Sequence, residues 1–361
     1  NLDTLISSTP VLSRFEECSY ADFHTLFTLP FLAVVWGLAL LNVRGRAEGV
    51  ATFRATLFWA GVLCVVASLY TLPWDDYLVA NAVWWYGEGR VMLEYLIGHT
   101  PFEECAFFSL QTIIIAGLWL LWFNKAEKDH SVVMCPPLNL PAKDVRHLTK
   151  VRRLGYFALA TMQLVGLALF NWQIFGSQGT YFGLILVWAT PVLAVQWIVG
   201  AEALADNARP LLELITFASW TLSLMDRWAI RRGIWAISEE KATLTWVSSA
   251  LLGPHLPLEE AFFFFITACM CVGGLTLAVI TTKAWKEGSS GGFCSTLIIV
   301  HHWGTGGQHL HHRGQGRSVK KSSTQSTLYS TLLVVATLGS VLALVAHRPV
   351  WCVIFIFKYI V

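Results

Sequence analysis

Eight long apolar stretches separated by polar ones set the pattern of this chain: 29–41, 55–72, 106–123, 154–170, 181–199, 210–225, 261–280 and 327–346. Each approaches or reaches the roughly 20 residues needed to cross a bilayer core as a helix. The pattern predicts an all-α integral membrane protein of about seven to eight transmembrane helices, the eighth being the stretch at 327–346. In contrast, 282–326 is rich in Gly, Ser and His and reads as a polar flexible linker. Its histidines, His301, His302, His309, His311 and His312, have no Cys or carboxylate frame beside them, so low-complexity linker is preferred over metal site. The chain opens at Asn1 without Met and without a charged signal region, which points to a missing N-terminal stretch.

Composition supports the membrane reading. Of 361 residues, 55% are hydrophobic and only 13% charged, against about 25% charged in soluble domains. The net charge of +2 and the absence of a basic stripe argue against nucleic acid as a partner. The eight Cys form no CxxC pair, and Cys269 and Cys271 suit neither zinc nor a disulfide; they read as small hydrophobes.

Chemistry enters through a repeat. "HTPFEECAFF" at 99–108 returns as "HLPLEEAFFF" at 255–264, so a Pro-x-Glu-Glu box opens a phenylalanine-rich run twice. Asp76 lies nine residues before Trp85, as Asp226 does before Trp235, and Phe107, Phe108 and Gln111 match Phe263, Phe264 and Thr267. The copies are 150 residues apart at the Asp and 156 at the boxes, implying an insertion of six. The expected organisation is a first repeat at 24–123, a connecting loop and linking span at 124–180, and a second repeat at 181–281. The linker at 282–326 and a C-terminal hydrophobic segment at 327–361 follow. Three spans plus one linking span bring the second copy in from the same side, so the two three-helix repeats are parallel and both boxes open on one face. The Lys and Arg residues of the 124–153 loop put that face opposite the cytoplasm.

Two readings of the boxes compete. Thr100, Pro101 and Glu103 fit a helix-capping box, but Leu256 at the matching cap position cannot accept a hydrogen bond, and capping does not require Glu104 or Glu260. Alternatively, Glu104, Phe108 and Gln111 share one helix face, as do Glu260, Phe264 and Thr267. A carboxyl group in that setting is poorly solvated and can act as a proton donor, while aromatic faces stabilise cations. This suits carbocation chemistry on a lipid-like polyene.

"LPWDDYLVANAVWWY…TPFEECAFFSLQT" and "LMDRWAIRRGIWAI…LPLEEAFFFFIT" resemble the two halves of the lycopene cyclases of the heterodimeric type. In that family the halves are separate subunits, one fused chain, or the N-terminal domain of fungal bifunctional enzymes. The resemblance covers about 25–281 and implies cofactor-free isomerisation of the ψ ends of lycopene to β-ionone rings. It implies catalytic roles for Glu103, Glu104, Glu259 and Glu260, one as acid and one as base. Supporting roles fall to Asp76, Asp226, Trp85, Trp235, Phe107, Phe108, Gln111, Phe263, Phe264 and Thr267. The implied partners are lycopene taken from the bilayer and, by association, other carotenoid-pathway enzymes; no metal is implied. The match departs at Asp226, followed by Arg227 and Trp228 where the first copy has Tyr77 and Leu78, and nothing after 282 matches. Cyclisation to ε- or γ-rings, or of C50 carotenoids, stays open, as does a proton-coupled transporter, although the boxes lie at span entrances and not at midplane. Flavin-dependent cyclases are excluded by the lack of a GxGxxG after a strand, and Asp75-Asp76 alone is too little for a prenyltransferase.

Overall fold

The computed structural model describes residues 18–43, 47–92, 98–128, 142–171, 176–241 and 256–286. The run at 327–346, the histidines of the linker and residues 129–141 of the connecting loop lie outside these. The described residues form seven long helices, a short 3-10 helix at Gly176–Gly179 and two short strands. Helix α1 spans Tyr20–Val43 and includes a π-helical turn at His24–Thr28. It is followed by α2 (Ala47–Ala80), β1 (Trp84–Tyr86), α3 (Phe102–Lys128) and α4 (Ala142–Asn171). Then come α5 (Thr180–Asp206), α6 (Ala208–Arg231), β2 (Trp235–Ile237) and α7 (Leu258–Lys286).

Six of the helices are long and apolar enough to cross a membrane, as a multi-pass membrane protein requires. The expected span at 210–225 forms α6 but is not among the six. Its polar Ser219, Ser223 and Asp226 are buried against the protein while Leu212, Phe217, Trp220 and Leu224 point outward, so α6 is amphipathic. At the other end of the second copy, α7 continues to Lys286 and absorbs the first residues assigned to the linker.

The two box helices form the centre. The most apolar window of α3 is 67% buried and that of α7 56% buried, against 22% for α1, α2 and α4. The outer helices direct Val34, Leu38, Leu57, Phe58, Leu154 and Phe157 outward, where hydrocarbon solvates them. Helix α3 packs on α1 and α2 as α7 packs on α5 and α6, and each also touches the other's second helix. Side-chain hydrogen bonds join the central pair. Trp119 Nε1 donates to Thr276 Oγ1 at 2.8 Å, and Gln111 Nε2 donates to Thr267 Oγ1 at 3.1 Å. Where lipid is as apolar as leucine, such bonds and close packing replace the hydrophobic effect as the link between helices.

At one end of the bundle β1 and β2 form an antiparallel ribbon, with Trp84 opposite Ile237, Trp85 opposite Ala236 and Tyr86 opposite Trp235. Its flanking bonds come in matched pairs. Gly87 N–H donates to Ile234 C=O at 2.9 Å, and Ser238 N–H donates to Val83 C=O at 2.8 Å. Tyr20 N–H reaches Arg90 C=O, and Tyr181 N–H reaches Lys241 C=O. Val83 and Ile234, Gly87 and Ser238, and Arg90 and Lys241 are each 151 residues apart.

The helix ends feeding the ribbon match in the same way. Val83 N–H closes onto Leu78 C=O and Ile234 N–H onto Ala229 C=O. The residue before each closure is left-handed: Ala82 at φ 50° and Gly233 at φ 66°. A left-handed conformation costs a non-glycine residue roughly 1–2 kcal/mol, so α6 ends on the favoured residue and α2 on a strained one. Ala82→Gly is expected to stabilise the protein by about 1 kcal/mol, and Gly233→Ala to destabilise it by a similar amount. Denaturant titration in detergent reads both, and the same sign for the two substitutions would contradict the matched ends.

Candidate active site

The site grows from the first turns of α3 and α7. Pro101 and Pro257 fix the chain at the helix starts, and the two glutamates that follow in each box point in different directions. Glu104 and Glu260 line one small cavity with Asp226, Tyr20, Tyr86 and Tyr181's neighbour Trp84. Phe107, Trp235, Ile237, Phe263 and Phe264 complete its wall. Glu103 and Glu259 are buried but do not line this cavity. Glu103 instead accepts the Met92 N–H on Oε1 at 2.5 Å, and its backbone carbonyl meets His24 Nε2 at 3.0 Å. His24 stacks on Tyr20, with ring centroids 4.9 Å apart, so the π-helical turn of α1 locks Tyr20 against the start of α3.

Each cavity glutamate is held by phenols. Tyr20 Oη donates to Glu104 Oε2 at 2.7 Å and Tyr86 Oη donates to the same oxygen at 3.2 Å. Tyr181 Oη donates to Glu260 Oε2. Tyr86, on the ribbon, has its own hydroxyl pushed well above the ordinary phenol range by burial and by the neighbouring Asp75 and Glu104, so it stays a donor. Asp226 accepts Trp235 Nε1 at 2.9 Å on Oδ1, while its buried Oδ2 has no protein partner among the described residues. Carboxylates from α3, α6 and α7 thus converge on one space.

Two supporting residues expected from sequence stand elsewhere. Asp76 is about a third exposed and accepts the His99 N–H at 2.5 Å and its Nδ1 at 3.0 Å, shaping the turn before Pro101. Gly98 in that turn has φ 64°, and a Cβ there would strike the Asp76 carboxylate. Trp85 is half-exposed on the outer face of the ribbon. Their neighbours occupy the inner places: Asp75 is fully buried and accepts Thr100 Oγ1 at 2.7 Å, and Trp84 faces the cavity. Asp75 and Asp226, like Trp84 and Trp235, are 151 residues apart, the ribbon's own spacing. The sequence match at Asp76 and Trp85 is therefore one residue out of register. Thr100 donates its hydroxyl to Asp75, so the residue expected to cap the helix serves the buried acid.

The remaining expected residues lie in or against the site. Phe107, Phe263, Phe264 and Trp235 line the cavity, and Phe108 is buried beside them. Gln111 and Thr267, a further turn along, join the two halves. Tyr20, Tyr86 and Tyr181 escaped sequence reasoning. The available signal is a hydroxyl residue followed by Tyr at the opening of an apolar run, Ser19-Tyr20 and Thr180-Tyr181. Behind the cavity Trp74 stacks on Trp188 at 4.7 Å and on Phe263 at 5.4 Å. Such π faces stabilise positive charge at short range. No group of three or more His, Cys, Asp or Glu side chains arranged to hold a metal occurs among the described residues. The arrangement can give a proton, shelter a cation and take a proton back.

No family model matches the chain, and no solved structure matches it. Curated relatives do. A bifunctional lycopene cyclase/phytoene synthase of Neurospora crassa is 32% identical over 263 residues, 71% of this chain and 39% of that protein. One of Colletotrichum graminicola is 34% identical over 277 residues, 74% of this chain and 42% of its own length. A lycopene beta-cyclase of Halobacterium salinarum is 34% identical over 263 residues, 72% of this chain and 98% of that protein. With nearly the whole of that archaeal enzyme aligned, and both boxes leading into one aromatic cavity, the chain belongs to the lycopene beta-cyclase family.

Proposed function

We propose that this chain cyclises the ψ ends of lycopene to β-ionone rings, yielding γ-carotene and then β-carotene, as an intramolecular acid–base isomerisation without redox change. The observation that carries the reading is the convergence of Glu104 and Glu260 from α3 and α7 on one cavity walled by aromatic rings. Protonation of the terminal double bond makes a tertiary cation; the neighbouring alkene attacks it; loss of a ring proton ends the sequence. An acid and a base are needed, and coupled carboxyls in one low-dielectric space can divide those tasks. The rings of Trp84, Trp235, Phe107 and Phe264 face the cationic intermediate without offering a nucleophile that would trap it.

The matched bonds of the ribbon and the exchanged packing of α3 and α7 support an origin from two parallel three-helix units, with α6 counted as the second helix of its unit. Lycopene is comparable in length to a bilayer core of roughly 30 Å. It reaches the cavity from the lipid phase, one end at a time. The cavity's free space is on the order of one or two water molecules, so an end group enters by displacing aromatic side chains.

Pigment analysis of a lycopene-accumulating bacterial host expressing the full chain tests this reading. Accumulation of monocyclic and then bicyclic carotenes is expected; unchanged lycopene at normal membrane levels of protein would defeat it. In the same assay Asp226→Asn is expected to lower conversion about tenfold or more, as loss of a positioned carboxylate does, while Asp76→Asn stays within about twofold of the parent, as an exposed turn residue should. Comparable losses from the two substitutions would restore the sequence-derived register.

A further inference from the structure

One chemical difference between the two halves bears directly on the two cavity glutamates. At the ribbon's 151-residue spacing the counterpart of Tyr86 is Ile237, and both line the cavity. Glu104 Oε2 therefore receives two phenols, Tyr20 at 2.7 Å and Tyr86 at 3.2 Å. Among the described residues a single phenol, Tyr181, reaches Glu260. Two O–H donors engage both lone pairs of one carboxylate oxygen and suit it to carry charge. Tyr86 is also held in place independently of Glu104, by the ribbon pairing with Trp235 and by its ring lying 6.2 Å from that of Tyr20.

We propose that Tyr86, together with Tyr20, fixes Glu104 as the ionised base of the cyclisation and leaves Glu260 as its proton donor, so that Tyr86 decides which proton the ring cation loses. This rests on the cyclisation reading above. Glu260 gives its proton to C2 of the terminal C1=C2 double bond, leaving the charge on C1. The electron pair of C5=C6 forms the C1–C6 bond and moves the charge to C5. Glu104 then takes the hydrogen on C6, and the C–H pair becomes the C5=C6 bond of a β-ring. One proton enters and one leaves, and it returns from Glu104 to Glu260 within their common cavity. The same C5 cation forms an ε-ring if it loses a proton from C4, and a γ-ring if it loses one from its methyl group. A base held at C6 by two donors suppresses both. Tyr86 is a positioning residue: it acts through Glu104 and not on the substrate.

Ring type is a readout that a merely structural residue would not move. The full chain and its variants are expressed in a lycopene-accumulating host, protein levels in the membrane are matched, and end groups are identified by chromatography and NMR. The parent is expected to make β-rings alone. Tyr86→Phe, which removes one hydroxyl, is expected to convert lycopene more slowly and to raise ε- or γ-rings to at least about a tenth of the total, the loss of selectivity expected from one hydrogen bond. Tyr181→Phe is expected to slow conversion while leaving only β-rings. Glu104→Asp, which withdraws the base by one methylene, reads the same ring mixture should Tyr86→Phe fail to accumulate. Pure β-rings from Tyr86→Phe at matched levels, or from Glu104→Asp where Tyr86→Phe fails to accumulate, or mixed rings arising from Tyr181→Phe instead, would overturn the assignment. A parent that leaves lycopene unchanged would defeat the cyclisation reading itself, which separates that failure from one confined to Tyr86.

Discussion

Carboxyl groups at the edge of a hydrocarbon layer need hydrogen-bond partners from the protein itself, because each unserved polar group there costs several kcal/mol. Much of this architecture follows from meeting that demand for Glu104, Glu260, Asp75 and Asp226. Three of the partners, Tyr20, Tyr86 and Tyr181, come from segments far apart along the chain. The π-helical turn of α1, the bond from His24 to the Glu103 carbonyl and the β1–β2 ribbon hold Tyr20 and Tyr86 there, and the bond from Tyr181 N–H to Lys241 C=O holds Tyr181. The ribbon is short, yet it ties the ends of α2 and α6 to each other and sets which residues of both halves face the cavity.

The same constraint explains the division of labour inside each box. Adjacent residues on a helix point about 100° apart, so two consecutive glutamates cannot both face one cavity. Glu104 and Glu260 face inward, while Glu103 and Glu259 are buried elsewhere, Glu103 accepting a backbone N–H from the segment after the ribbon. Repeating the box therefore delivers one cavity carboxylate per half, not two. Asp226 adds a third, held by Trp235 on one oxygen only. Aromatic rings fill the rest, giving a space with carboxyl groups and π surface but little room for water.

Membrane character, the box helices and the phenylalanine faces were legible because they depend on local composition and helical spacing. The bond between Gln111 and Thr267 joins two positions that the box alignment had already matched. What failed was register. Asp75 and Asp76 are adjacent, as are Trp84 and Trp85, and a one-residue slip exchanges a buried position for an exposed one. The correct offset of 151 is enforced by long-range bonds such as Gly87 to Ile234, which have no local signature. Tyr20, Tyr86 and Tyr181 stayed hidden for a related reason: a tyrosine near a span end reads as an interfacial anchor, and only its tertiary partner tells otherwise. The amphipathic α6 shows the limit of hydropathy, since a helix serving a polar site must give up apolar residues on that face.

In the proposed mechanism the two halves act through one composite site and not through a site in each half. Turnover of lycopene by Glu104→Gln, Glu260→Gln and the double variant, at equal membrane levels, tests it most directly. A composite site predicts that each single substitution lowers turnover about 100-fold or more and that the double variant falls far short of the product of the two losses. Two independent sites would leave each single variant with about half of the parental rate and only the double variant inactive, and that result would contradict the account.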